Sequence, residues 1–536
     1  MTTRIDRAAM MTIGASAAAA IMPAAAIVLD NPGEIAAGDV VRPIFFLVGA
    51  ALIVPAALFA VGGAGRFAAL AFPIALFAFF KFTGFYTLAE FAGLHGAAAA
   101  IGGAIAFALI CVAAADVFRR RDAAKLASFV FAIFGAIAAG SGAMAALTLL
   151  KANKAQQRVV ANMIASAPQP ALGGANLPDV IYIVPDRYGS DGVLASMFEF
   201  DNGEFLDALA DRGVFVRRDA RSNYAKTIAS LASTLNMTDL SPLAASLGPN
   251  SGDLGPLRDL IRDNAAQRTL RSAGYSYLHF GSWWEPTRRN PHADANFYGV
   301  NTAWSGLSEF ERTLLRYTPL SWIATDGASA ERRECERLKS QLDRLETVRK
   351  SSPGPVFAFA HLTLPHEPIT MNKDGACIEH IYFPSRRATW EQYKSAYRDY
   401  VAYLNKRLIG IFDANKAADD GRGMIFVIQA DEGPFPRRLE LDLDMNMHEF
   451  NEDEVRQKFG IINALYWDRD RYGPPYLTQT PINNWRLILS KISGETAPLV
   501  ADERSLLMRS EENVYDMIDV TGVLAGKKAS ALARLD

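Results

Sequence analysis

The first 150 residues are almost continuously apolar, and that run limits what the chain can become more than any other feature. Five candidate spans lie near 8–29, 43–62, 66–84, 97–118 and 126–150. Each approaches the ~20 residues that cross a bilayer. A cleaved signal peptide is the other reading of the first span, but four more follow it. A buried soluble helix would account for any one of them and does not account for a series rich in Ala, Gly and Phe. Basic residues set the orientation. Arg4 and Arg7 precede the first span, Arg66 lies between the second and third, and Arg119, Arg120, Arg121 and Lys125 lie between the fourth and fifth. The loop 30–42 carries Asp30, Glu34 and Asp39 instead. The N-terminus is therefore expected in the cytoplasm, and five crossings place everything after residue 150 outside the membrane. An even number would reverse that.

A chain of 536 residues exceeds one ordinary core, so further domains are expected. The formal charge of −2 gives no reason to invoke nucleic acid. Three cysteines without a CxxC exclude the usual zinc-finger and redox spacings. Cys111 lies in an apolar run, while Cys335 and Cys377 either pair in an exported domain or stay as two thiols. Residues 151–177, rich in Ala, Pro, Gly and Asn after Lys151, Lys154 and Arg158, read as a linker. From 178 onward strands and helices alternate. Strands are expected at 179–185, 214–216, 275–280, 356–361, 424–430 and 461–466. Helices are expected at 201–212, 256–273, 329–350, 389–413 and 483–492. The pattern predicts the α/β class, with a mostly parallel sheet flanked by helices in a domain covering 178–536. The stretch 303–326 (Trp304, Phe310, Leu314, Leu315, Tyr317, Leu320, Trp322) reads either as an amphipathic segment on the membrane surface or as a core-packing helix and loop.

Four strand ends carry polar groups. PDVIYIVPDRYG (178–189) ends a buried run at Asp186. His361 and then Pro365-His366-Glu367-Pro368 follow the strand at 356–361. Asp431-Glu432-Gly433 follows the strand at 424–430, and GSWWEPT (281–287) follows Phe280. Acids at the ends of separate buried strands need something positive between them, and a divalent metal ion is the economical answer. Thr227 should sit near a helix N-terminus, where backbone N–H groups favour an anion and a metal-bound hydroxyl can act as a nucleophile. A plain helix cap explains the same pattern. Arg187, Lys226 and Arg437 are candidates for binding an anionic substrate, each also explained by a structural ion pair. Asn223 either donates to a phosphate oxygen or forms a turn.

The segments PDVIYIVPDRYGSDGVL, FDNGEFLDALADRGVFV, RSNYAKTIASLASTLNM, HFGSWWEPTRRN, FAHLTLPHEP and VIQADEGP resemble, in order, a group of bacterial membrane-anchored, sulfatase-like proteins of the alkaline phosphatase superfamily. Phosphoethanolamine and phosphoglycerol transferases of envelope lipids and glycans are similar in layout. The resemblance covers roughly 178–495. It implies that Asp186 and Asp431 are metal ligands, that Thr227 is the metal-bound nucleophile, and that His366 binds the transferred anion or protonates the leaving oxygen. It also implies a multi-pass protein of the bacterial inner membrane, with an extracytoplasmic catalytic domain acting on an anionic lipid or glycan. One position departs, since the family usually reads Asp-His-Gly where this chain has Asp431-Glu432-Gly433. Glu432 as a ligand would make the metal shell all oxygen, favouring Mg, Ca or Mn, with Zn still possible. Alternatively, Glu432 marks a non-catalytic binding or scaffolding relative. The absence of a nucleophilic cysteine and of CxPxR argues against the formylglycine route of ordinary sulfatases and favours phosphate esters over sulfate.

Overall fold

The computed structural model describes residues 7–31, 35, 37–94, 97–150, 154–173, 176–298, 307–320, 330–352, 354–381, 388–496, 498–500, 503–510 and 513–526. The chain forms two compact units, one comprising 1–153 with 302–327 and the other 154–301 with 328–536.

The first unit is helical. Its helices are α1 (Arg7–Asp30), α2 (Ala37–Val61), α3 (Ala64–Phe79), α4 (Phe82–Phe91), α5 (Ala97–Arg120) and α6 (Ala123–Leu150). Four of them are long and apolar enough to span a bilayer, and α3 with α4, bent by 63° at Phe80–Lys81, makes a fifth if counted as one span. Two clusters pin opposite ends of the bundle. One joins Ala8 of α1, Leu70 and Ala71 of α3, Phe118 of α5 and Ala127 of α6. The other joins Ala24 to Val28 of α1, Val40 of α2, Phe80 and Ala145 of α6. The starts of α1 and α6 thus share an end, and so do the finish of α6 and the start of α2. The basic residues of the sequence flank the first cluster. Phe45, Phe46, Ile53, Ile101, Leu109, Phe129 and Leu147 point outward with more than a third of their surface exposed, as lipid-facing side chains do.

The insertion 302–327 belongs to this unit. Ser308 caps a helix at Glu309–Arg316, reciprocated by Glu311. Phe310 and Leu314, four residues apart on one face, are buried in the second cluster. Glu311 also forms an ion pair with Arg42 of α2, and the Thr83 hydroxyl donates to the Arg316 carbonyl at 3.2 Å. For this helix the packing reading of 303–326 holds, since its apolar face is buried against the N-terminal helices. Trp304 and Trp322 lie outside the described residues.

The second unit is α/β. Its strands are β1 (Asp179–Pro185), β2 (Phe215–Val216), β3 (Ser276–Phe280), β4 (Ala295–Phe297), β5 (Val356–Leu362), the hairpin β6 (Ile369–Met371) and β7 (Cys377–Ile381), β8 (Met424–Gln429) and β9 (Asn463–Tyr466). Seven of them form one sheet in the order β2-β9-β8-β1-β5-β3-β4. The neighbours β8, β1, β5, β3 and β4 run parallel, and β9 and β2 close one edge antiparallel. β1 and β8 are buried along their whole lengths, as continuous apolar runs require when helices cover both faces. Parallel strands bring their carboxyl ends to one edge, so Asp186, His361, Asp431 and Gly281 all emerge together.

Local departures from the sequence reading have simple causes. The helix expected over 256–273 is two helices, Gly255–Arg262 and Ala265–Ser272, because Asn264 caps the second through Gln267 N–H. Half of the expected linker 151–177 is a helix, Lys154–Ser166, whose Met163 and Ile164 join the main core. Cys335 and Cys377 form a disulfide with Cα atoms 5.8 Å apart, resolving the two readings of these thiols.

Gly281 is a site of close approach. A Cβ there would stand 2.0 Å from the Arg288 carbonyl oxygen and 2.7 Å from that of Thr287. Gly281→Ala must push the 282–288 turn off the sheet edge and is expected to cost about 1–3 kcal/mol or more. A lower melting temperature of the detergent-solubilised protein is the expected reading, and an unchanged one would show that the turn yields.

Candidate metal centre

Asp186 follows the last residue of β1, and its N–H donates to the Leu362 carbonyl at 2.9 Å, so strand pairing fixes the acid at the sheet edge. His361 lies in β5 opposite Val184. Asp431 follows β8. One ligand atom from each of Asp186, His361 and Asp431 lies within 4.8 Å of the others, and all three residues are buried. His361 Nε2 is 3.5 Å from Asp186 Oδ2. Among the described residues, Asp186 Oδ1, His361 Nε2 and Asp431 Oδ2 are buried atoms with no hydrogen-bond partner. Three neighbouring buried residues that each carry an unpartnered atom are costly unless a cation joins them. One imidazole and two carboxylates fit a divalent metal ion.

The electrostatics agree. Burial alone would raise Asp186, but the charges of His366, His361 and Arg187 hold it down at about 2. Asp431 is pushed well above the carboxylate range, first by burial and then by the negative charges of Asp186 and Glu432, with the Thr227 hydroxyl pulling the other way. Adjacent acids driven apart in this manner are a pair that does not ionise twice without a compensating charge.

Glu432 faces away from this group. Lys458 Nζ is 2.8 Å from Glu432 Oε2, and Arg187 Nε is 3.3 Å from Glu432 Oε1. Arg187 adopts a left-handed φ of 62° immediately after Asp186, which turns its side chain out of the strand direction. Its guanidinium meets Glu367 at 2.8 Å and Glu440 at 3.8 Å and covers the Phe435 ring at 3.3 Å. Lys458 lies 3.8 Å from the centroid of the same ring. Arg187 and Lys458 thus neutralise a buried cluster of Glu367, Glu432 and Glu440. Of the expected ligands, Asp186 and Asp431 lie together with His361, and Glu432 is engaged by Lys458 and Arg187.

Thr227 opens the helix Thr227–Asn236, and Lys226 is the extended residue at which the chain turns into it. The Thr227 side chain counteracts the rise of the Asp431 acid, and the Asp431 carboxylate accepts from Arg187 N–H at 3.4 Å. Ser230, one turn on, donates to the Asp431 carbonyl at 2.6 Å and locks that strand end to the helix. Asn223 stands apart, its amide N–H₂ donating to the Arg504 carbonyl at 2.9 Å and its oxygen accepting from Ile482 N–H at 3.1 Å. Both ends of that amide hold loops together. His366 directs Nδ1 at the Glu367 carbonyl and meets the Trp283 ring edge-on at 5.7 Å.

Sequence reasoning placed His361 at a strand end but gave the chemistry to His366. The signal for His361 was its position in a buried apolar strand, where an imidazole needs a partner. Ser230 and Lys458 carried no signal beyond their residue type.

No family model matches the sequence, and no curated protein is similar to it. Among solved structures, the chain is similar to the C-terminal periplasmic domain of EcEptC from Escherichia coli in complex with Zn, at 15% identity over 66% of this chain and 97% of that one, TM-score 0.42. It is similar to the integral membrane protein lipooligosaccharide phosphoethanolamine transferase A (EptA) from Neisseria meningitidis, at 10% identity over 91% and 95%, TM-score 0.38. A third is BT1596, a 2-O GAG sulfatase, at 13% identity over 67% and 76%, TM-score 0.38. The motifs of the sequence resemble sulfatase-like and phosphoethanolamine-transferase-like proteins, and structures of both descriptions are among those the chain is similar to, the similarity being one of layout.

Proposed function

We propose that this protein is a membrane-anchored, metal-dependent phosphoester transferase or hydrolase that uses Thr227 as its nucleophile on an anionic lipid or glycan of the cell envelope. The observation that carries the reading is the convergence of Asp186, His361 and Asp431, each with a buried unpartnered atom, at the strand end that Ser230 of the Thr227 helix holds through the Asp431 carbonyl. Asp186, His361 and Asp431 would hold the ion, with Thr227 completing the set. The mixed nitrogen and oxygen donors favour zinc over calcium or magnesium. A divalent ion supplies a lowered hydroxyl pKa and neutralises charge on the phosphoryl oxygens.

Asp431 orients the Thr227 hydroxyl and receives its proton as Oγ1 attacks phosphorus. The bond from phosphorus to the leaving oxygen breaks, and that oxygen takes a proton from water, while His366 binds the transferred group. Phosphothreonine remains until water or an acceptor hydroxyl attacks it and Thr227 regains its proton. Lys226, at the mouth of the helix, pairs with the transferred group. Arg187 holds the acidic cluster that backs the site rather than the substrate. The basic residues around the first helix cluster support a cytoplasmic N-terminus, and the Cys335–Cys377 disulfide supports an oxidising compartment for the α/β unit.

The test uses full-length protein in detergent. Bound metal is measured by mass spectrometry, and aryl phosphomonoesters, phosphodiesters and sulfates are assayed before and after chelation. About one tightly held ion per chain is expected, with phosphoester turnover lost on chelation and restored by zinc. Protein that takes up no metal and turns over no ester would instead be a binding or scaffolding module, and turnover of sulfate alone would overturn the phosphate assignment.

A further inference from the structure

The GSWWEPT turn (281–287) follows β3 and lies outside the Asp186–His361–Asp431 group, yet its Thr287 hydroxyl reaches His361. His279 Nε2 lies 2.6 Å from the Thr287 carbonyl oxygen. A carbonyl only accepts, so Nε2 carries the proton, and Nδ1 accepts from the Tyr277 hydroxyl at 2.9 Å. His279 is neutral, since burial pulls it down to about 4. These bonds fix the Thr287 backbone. The Thr287 hydroxyl then lies 2.7 Å from His361 Nδ1 and 2.9 Å from the Ser282 hydroxyl, which itself accepts from Trp284 N–H at 3.1 Å. Ser282, Thr287 and His361 are all fully buried.

Two hydroxyls in series can be polarised in either direction. With Ser282 donating to Thr287 and Thr287 donating to His361 Nδ1, the imidazole proton sits on Nε2 and faces Asp186. With the order reversed, Nδ1–H donates to Thr287, Thr287 donates to Ser282, and Nε2 presents its lone pair to the space between Asp186 and Asp431. Only the second arrangement lets His361 ligate a cation. We propose that Thr287 and Ser282 are positioning residues that set the tautomer of His361, accepting its proton at Nδ1 when a metal ion is held and returning to the opposite polarity when it is not. The histidine proton moves from Nε2 to Nδ1, and no net proton is gained or lost. This rests on reading Asp186, His361 and Asp431 as a metal centre.

Without the Thr287 oxygen, the metal-binding tautomer leaves a buried Nδ1–H with no acceptor. Loss of such an outer partner weakens metal affinity by about 10–100-fold. The test is the zinc dissociation constant of full-length protein in detergent, measured by competition with a chromogenic chelator. Thr287→Val is expected to weaken zinc binding by about 10–100-fold, with Thr287→Ser restoring it to within a few-fold and Ser282→Ala giving a smaller loss. The cobalt(II)-loaded protein adds a spectral reading, in which Thr287→Val alters the visible bands of the ion and Thr287→Ser keeps them. Wild-type affinity in Thr287→Val overturns the proposal, as does equal weakening in Val and Ser variants. If Thr287→Val does not fold, Ser282→Ala decides, and unchanged affinity there overturns the proposal. Failure of the wild-type chain to bind zinc or cobalt would instead overturn the metal centre itself.

Discussion

Thr227→Ala is expected to lower phosphoester turnover by about three orders of magnitude or more, the scale on which removal of a nucleophile acts. The change takes away the proposed nucleophilic atom and leaves its surroundings in place. Thr227 is the first residue of its helix rather than the cap, and Lys226 caps without a side-chain bond. The fold therefore loses little, and the melting temperature should stay near that of wild type. Asp431 loses the side chain that counteracts the rise of its pKa, so zinc affinity should fall modestly while turnover collapses. Thr227→Ser keeps a hydroxyl and is expected to retain part of the rate. Mass spectrometry of protein quenched during turnover should find phosphate on Thr227 in the wild type. Turnover by Thr227→Ala at the wild-type rate would remove Thr227 from the chemistry.

The second large effect lies at the other end of β1. Asp179 and Arg349 are both fully buried and meet at 2.7 Å. Arg349 also donates to the Asn415 carbonyl at 2.8 Å and to the Gly423 carbonyl at 3.1 Å, and its second partner Asp419 is 2.9 Å away. Asp179 Oδ1 accepts from Val356 N–H at 2.9 Å, which begins the pairing of β1 with β5. Arg349→Ala leaves a buried carboxylate whose remaining cation, Arg422, stands 3.5 Å away and is partly exposed. Breaking a buried pair from one side costs about 3–5 kcal/mol. A fall in melting temperature of about 4–7 °C is expected for a unit of this size. Asp186 lies at the opposite end of the strand, so the folded protein should bind zinc with unchanged affinity. A melting temperature within a degree or two of wild type would show that Arg422 takes over the pair.

Much of the architecture is written in local pattern. Continuous apolar runs mark β1, β5 and β8, and the acids that follow them mark a sheet edge. What a single sequence does not carry is which strands lie side by side. β5 follows β1 by some 170 residues in the chain and pairs with it in space, and that adjacency alone brings His361 to Asp186. His366, in a motif with obvious polar character, drew the chemical assignment instead. Glu432 misled for a related reason. Consecutive residues leaving a strand point to opposite faces, so an acid next to a ligand faces elsewhere. Its partner Lys458 is buried in a helix rich in charge, where a lysine is ordinarily solvated. Asn223 sits beside a promising helix start, yet the loops that claim its amide come from residues 482 and 504.

The helix Glu309–Arg316 has a practical consequence. The membrane unit is discontinuous in sequence, since its last element is translated after residues 154–301 of the α/β unit. The bundle is therefore incomplete until the ribosome has passed that helix, and the α1 and α2 surfaces that bury Phe310 and Leu314 wait uncovered by it until then. A fragment cut at the end of α6 would carry that helix without the α1 and α2 surfaces that bury it, presenting a sticky face. A version of the α/β unit freed of the membrane helices calls for two cuts rather than one, with 302–327 removed and its flanks rejoined.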